Sequence, residues 1–170
     1  QAELLELIQE FLARQPEPAV TAKPRMLIVP HAGYQYSGPI AAAGFRRLQV
    51  RAYDGVVVVG FTHRMGCDGA SVDTVESYET PLGEIPVDQE AVAVLQTYPG
   101  ITHVEAAHES REPSVEVALP FLQVALGRFR LVPVLMGGAA LEDARHLASA
   151  LAGLSRLGDY LFIFSTDLSH

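Results

Sequence analysis

The 170-residue sequence predicts one α/β domain over residues 1–170, built on a mainly parallel sheet with helices on both faces. Three observations carry that prediction. Short apolar runs alternate with amphipathic segments about four times. One run, Gly-Val-Val-Val-Val-Gly at residues 55–60, is continuous and β-branched, as in a strand covered on both faces. No internal repeat, low-complexity tract or linker composition divides the chain, and its 49% hydrophobic content is enough for a substantial core.

In chain order, residues 2–14 carry Leu4, Leu5, Ile8, Phe11 and Leu12 at helical spacing, with Glu3, Glu6 and Glu10 on the rest of the wheel. Gln15-Pro16-Glu17-Pro18 ends that helix. Met26-Leu27-Ile28-Val29 reads as a buried strand that stops at Pro30 and delivers His31 to a loop. Gly33 and Gly38 let the chain turn tightly, and a return helix is expected over 39–48 with Pro39 in its first turn. His63 follows three residues after the 55–60 strand. Residues 70–74 form a weaker strand, and 78–86, with Pro81, Gly83 and Pro86, a loop outside regular structure.

Asp88 suits the N-cap of a helix over 89–97, which Pro99-Gly100 breaks. Residues 101–105 are a short strand candidate and 108–113 a loop, after which Ser114 caps an apolar helix over 115–126. Pro120 either kinks that helix or marks a second one after Leu119. A strand over 130–136 closes at Gly137-Gly138. The helix over 141–154 has Glu142 and Asp143 in its first turn, favourable for the dipole. A last strand over 160–164 runs into Ser165-Thr166-Asp167-Leu168-Ser169-His170.

Composition narrows the function classes. A formal net charge of -8 without Lys/Arg clusters argues against nucleic acid or an anionic membrane as partner. The apolar runs fall well short of the roughly 20 residues that span a bilayer. The first residues are acidic and helical rather than basic followed by an apolar core, so no signal peptide is read and a cytoplasmic location is expected. The single cysteine, Cys67, cannot form an internal disulfide, which fits a reducing compartment.

The six histidines are the most informative residues. His31, His63 and His170 each follow an apolar strand within a few residues, and in a parallel sheet this brings all three to the edge where ligands bind. His103, His108 and the helical His146 do not share that pattern. Neutral imidazole ligates zinc, copper and non-haem iron, and an imidazole off the metal moves protons near neutral pH. Asp167 orients an imidazole, joins a metal or caps a helix, and Tyr34 and Tyr36 line a pocket or pack. Cys67 reads as a small hydrophobe or, with less support, a soft ligand. No phosphate-binding glycine fingerprint, nucleophile elbow or zinc-protease helix motif occurs.

Pro30-His31-Ala32-Gly33-Tyr34-Gln35-Tyr36-Ser37-Gly38 resembles the first signature of the Memo family, which includes AmmeMemoRadiSam system protein B. Gly60-Phe61-Thr62-His63 resembles the family's Gly-Pro-x-His element, and the segment from Thr80-Pro81-Leu82-Gly83 to Asp88 its Thr-Pro-Leu-Gly segment. Ser114-Val115-Glu116-Val117-Ala118-Leu119-Pro120-Phe121-Leu122 resembles its Ser-Ile-Glu-Val-x-Leu-Pro-Phe-Leu helix, and the last six residues its Ser-Ser-Asp-Leu-Ser-His strand end.

The resemblance implies a fold shared with class III extradiol (LigB-type) dioxygenases. It implies His31 and His63 as metal ligands, with His170 as proton carrier beside Asp167. One metal ion, iron or copper with zinc as a further choice, would serve an oxidoreductase acting on an unidentified small molecule. The alternative is a non-catalytic module holding a peptide or small ligand in the same cleft. Three positions depart from the family pattern: Pro113 stands for a histidine, for which His108 is the nearby substitute, Ser169 for a cysteine, and Phe61 for a proline. Family members also extend further at both ends, so the resemblance implies a chain cut at both.

Overall fold

The computed structural model describes residues 1–17, 22–48, 52–109, 112–138 and 140–167. In order, the elements are α1 (Ala2–Ala13), β1 (Met26–Val29), α2 (Tyr34–Phe45), β2 (Gly55–Phe61), β3 (Ala70–Val72), β4 (Ser77–Thr80), β5 (Gly83–Pro86) and α3 (Gln89–Leu95). They continue as β6 (Ile101–Thr102), α4 (Glu105–Glu109), α5 (Pro113–Glu116), α6 (Ala118–Leu126), β7 (Leu131–Met136), α7 (Leu141–Leu154) and β8 (Tyr160–Ser165).

Six strands form one sheet in the order β1-β8-β2-β7-β3-β6. The first four run parallel, β3 is antiparallel to β7, and β6 is parallel to β3. Side chains alternate between two cores, as the two-residue period of a strand requires. Val56, Val58, Leu131, Leu135, Leu161 and Ile163 join the helices α1, α2 and α6. Val57, Val59, Val132, Val134, Tyr160 and Phe162 join α3 and α7. A strand buried on both faces has no polar face to show, which is why 56–59 reads as unbroken valine. None of the described helices is long and apolar enough to cross a membrane.

Several local expectations are corrected, beginning with β1, an edge strand with Met26 and Ile28 exposed rather than a buried one. The return helix starts at Tyr34, capped by Gly33, so Pro39 lies in its interior rather than its first turn. Pro39 removes one helical hydrogen bond there, while packing of Ala41, Ala42 and Phe45 into the core holds the helix. Residues 77–86 form an antiparallel hairpin, β4 and β5, with Pro81 and Leu82 in the turn, instead of a loop. Prolines broke the expected pattern, but each sits where a two-stranded ribbon tolerates it, at the turn and at the strand end.

The 101–105 strand shrinks to two residues because Glu105 already starts α4, which also carries His108 in a helix rather than a loop. The apolar helix divides into α5 and α6 at Val117, so a second helix does begin near Pro120, but at Ala118 rather than after Leu119. Its cap is Glu112, not Ser114, because the Glu112 side chain accepts from Ser114 N and Pro113 fills the first position.

Candidate functional site

Parallel β1 and β2 both flank β8, so their carboxyl ends open on the same edge. His31 lies two residues beyond β1 and His63 two beyond β2, and their rings meet edge to face, centroids 5.3 Å apart at 86°. His31 is buried, held by the end of β8: its Nδ1 lies 3.1 Å from Ser165 Oγ, and its backbone N–H donates to Asp167 Oδ1 at 2.8 Å. Asp167 Oδ2 stands 3.9 Å from His31 Nε2. Asp167 therefore ties two strand ends together beside a ring, a role that neither a helix cap nor a remote residue would fill.

His63 is held from the opposite side by Glu112, whose side chain is 3% exposed. Glu112 Oε1 is 2.6 Å from His63 Nδ1, and Oε2 accepts from the His63 backbone N–H at 2.8 Å. Burial pushes the Glu112 carboxyl up, but hydrogen bonds from His63 backbone and ring and from the Ser114 backbone hold it below the ordinary glutamate value. It is therefore an ionised acceptor. Sequence reading passed over Glu112; the signal available was its place directly before the Pro-Ser that opens a helix.

At the end of β1, a cavity of about 430 Å³ is lined by Ile28, Pro30, Tyr36, Ile40, Thr166 and Asp167 among others, with neither His31 nor His63 in its lining. Tyr36 is on this surface, 75% exposed. Tyr34 is not: its hydroxyl donates to Val117 O at 3.1 Å, its ring packs edge to face on Phe121, and burial pushes its pKa up to about 12. It closes a separate apolar groove with Leu4, Pro81 and Pro113.

His108 stands elsewhere. Its Nε2 lies 3.0 Å from Ser71 Oγ, its Nδ1 3.6 Å from Asp73 Oδ2, and its ring stacks on His103. It belongs to another cavity, with Asp73, Val75 and Glu105. Cys67 is half-buried near Leu135 O, and burial, then Asp68 and Asp143, push its thiol up. That is the environment of an inert thiol rather than of a ready thiolate ligand. His170 and Ser169 lie outside the described residues.

Two imidazoles with an adjacent carboxylate are donors suited to zinc, copper or iron, and each Nδ1 is engaged by a side chain, the arrangement that orients ligating histidines. Among the described residues, no group of three or more His, Cys, Asp or Glu side chains is arranged to hold a metal ion. The pair is thus a partial donor set.

The family described as Memo-like protein matches residues 1–170. The chain belongs to the Memo-like family. It is 38% identical over 150 residues to a MEMO1 family protein of Methanobrevibacter smithii, covering 86% of this chain and 53% of that one. It is 36% identical over 171 residues to a MEMO1 family protein of Thermoplasma volcanium, covering 99% and 61%. A Thermotoga neapolitana member matches at 38% over 146 residues, 85% and 53%. This Memo-like chain spans between about half and three fifths of the length of these relatives.

Proposed function

We propose that this Memo-like chain supplies the two-histidine wall of a mononuclear metal pocket, with iron or copper as the resident ion and zinc as a competent substitute. The observation that carries the reading is the edge-to-face pairing of His31 and His63, 5.3 Å apart, with Ser165 and Glu112 at the two Nδ1 atoms. A bound redox metal would supply a Lewis acid and an electron-transfer centre, as needed for oxidation of a small molecule. The protein's own part is distinct. His31 and His63 donate through Nε2, Ser165 and Glu112 fix the ring orientations, and Asp167 anchors the His31 backbone while its second oxygen faces the ring. Ile28, Ile40 and Tyr36 give the adjoining cavity an apolar wall for an organic ligand, and His170 is the proposed proton carrier.

Elemental analysis of purified protein, with calorimetric titration of Fe2+, Cu2+ and Zn2+ into chelator-treated protein, tests the proposal. Stoichiometric uptake that is lost in His31→Ala and His63→Ala supports it. Uptake of none of the three ions by the unaltered protein overturns it.

A second reading, a non-catalytic module for a small molecule or peptide, is favoured by the exposed apolar residues Ile28, Tyr36 and Ile40 around the cavity. Ligand-induced thermal shifts that chelator leaves unchanged would select it. No partner of nucleic acid or membrane type is proposed, consistent with the acidic net charge of -8.

A further inference from the structure

Glu112 spends both oxygens on more than a helix cap. α5 is a four-residue turn, and capping it requires only the contact to Ser114 N at 3.3 Å. The two shorter contacts, 2.6 and 2.8 Å, go to the ring and backbone of His63. An ionised carboxylate has acceptors only, so the ring nitrogen 2.6 Å from it must carry the proton. A neutral imidazole protonated at Nδ1 has its lone pair at Nε2.

The carboxylate is also fixed in place. Ser114 Oγ accepts from Phe61 N and donates to Phe61 O, both at 3.0 Å, pinning the start of α5 to the strand end that carries His63. Gly60 permits that approach, since a Cβ there would stand 2.3 Å from Ser114 Oγ. Glu112 and His63 are thus parts of one rigid corner.

We infer that Glu112 is a positioning residue that locks His63 in the Nδ1–H tautomer and so determines that Nε2 is the nitrogen this histidine offers to a ligand. Its consequence for metal affinity rests on the metal-pocket reading; the tautomer itself does not. Glu112→Gln tests both. An amide has one oxygen for three donors divided over two positions, so its NH2 faces either the His63 backbone N–H or Nδ1 and Ser114 N. In the second orientation Nδ1 becomes an acceptor and the proton moves to Nε2.

The decisive measurement is NMR of metal-free protein labelled at its histidine ring nitrogens, above the imidazole titration range. His63 is expected in the Nδ1–H form in the unaltered protein and in the Nε2–H form or a mixture in Glu112→Gln. Zn2+ titration is expected to show affinity about 10–100-fold weaker in Glu112→Gln. Ser114→Ala, which loses the link to Phe61 but retains the carboxylate, should keep the Nδ1–H tautomer. An Nε2–H tautomer in the unaltered protein overturns the inference without any variant. So does an Nδ1–H tautomer that persists undiminished in Glu112→Ala, which removes both carboxylate oxygens. The expected tautomers together with no uptake of Fe2+, Cu2+ or Zn2+ by the unaltered protein uphold the positioning role and overturn the metal reading.

Discussion

The molecule contains two histidine pairs, and they teach different things. His31 and His63 come from the ends of parallel strands and meet at 86°, 5.3 Å apart. His103 and His108 follow the short strand β6 and stack at 13°, 6.0 Å apart. An imidazole binds a metal in its own ring plane. Two rings whose planes cross can share an ion only on the line of intersection, and nearly parallel stacked planes have no such line between them. The partners differ too. In the first pair each Nδ1 meets a side chain at the rim of a sheet edge, Ser165 or Glu112. In the second, His103 Nδ1 donates to the Val72 carbonyl at 2.9 Å, and His108 is engaged at both nitrogens by Ser71 and Asp73. Ser71 Oγ accepts from Val104 N at 2.8 Å, and Tyr78 donates to Asp73 at 2.8 Å. The second pair is an internal network that joins β3 to α4, with the Ser-His-Asp order of a hydrolase but a serine fully buried at 0% exposure. Proximity of histidines is therefore a weaker guide than which ring nitrogen is already engaged.

The comparison breaks most visibly through metal binding. His31→Ala and His63→Ala are each expected to weaken Zn2+ binding by more than the roughly 10–100-fold typical of an outer-shell loss. His103→Ala should leave it unchanged. Calorimetry on the three variants checks this, and equal losses in all three would erase the distinction between the pairs.

The next effect is on stability. His108→Ala leaves the buried Ser71 hydroxyl proton without its acceptor, while Asp73 keeps Tyr78 and the Val75 N–H, and is expected to lower unfolding free energy by about 1–3 kcal/mol in urea denaturation. Metal uptake should be untouched, and a stable His108→Ala protein with impaired uptake would reverse the roles assigned to the pairs.

A pH dependence sharpens the same contrast. Burial lowers the His108 pKa below the ordinary 6.5, with Asp73 opposing and His103 reinforcing the shift. The unfolded chain therefore takes a proton at this position before the folded protein does. Its contribution to stability is complete above the unfolded value and declines as pH falls through the folded one. Denaturation midpoints compared between the unaltered protein and His108→Gln should show a shallower acid slope in the variant. Parallel slopes would count against a neutral buried His108.

The smallest effect concerns Tyr36 and Tyr34, neighbours in sequence with opposite fates. Tyr36→Ala, at a position 75% exposed, should shift stability by less than about 0.5 kcal/mol. Tyr34→Phe, which removes the hydrogen bond from its hydroxyl to Val117 O, should cost about 1 kcal/mol. Thermal unfolding of both variants decides, and the reverse order would mean that Tyr36 is covered in solution.

Much of the fold follows from the sequence because its signals are local. A continuous β-branched run marked β2, an apolar run marked β7, helical periodicity marked α1 and α7, and Asp88 marked the start of α3, where it accepts from Ala91 N at 3.2 Å. The errors fall where proline and glycine admit two outcomes. Pro81 and Pro86 suggested a loop yet border a hairpin, and Pro39 suggested a first turn yet sits inside α2. In both places contacts outside the window outweighed the local preference.

At the candidate site, strand-end position alone brought out His31 and His63, because parallel pairing gives their strands a common edge. The structure decided the rest: that the two rings lie edge to face, that Asp167 binds the His31 backbone, that His108 keeps separate company, and that Glu112 holds His63. The physical reason is range. Strand and helix patterning depends on residues a few positions apart, whereas Glu112 and His63 are 49 positions apart and His31 and Asp167 are 136 apart. Hydrogen bonds across such separations exist only once the sheet has fixed the distances between its strand ends.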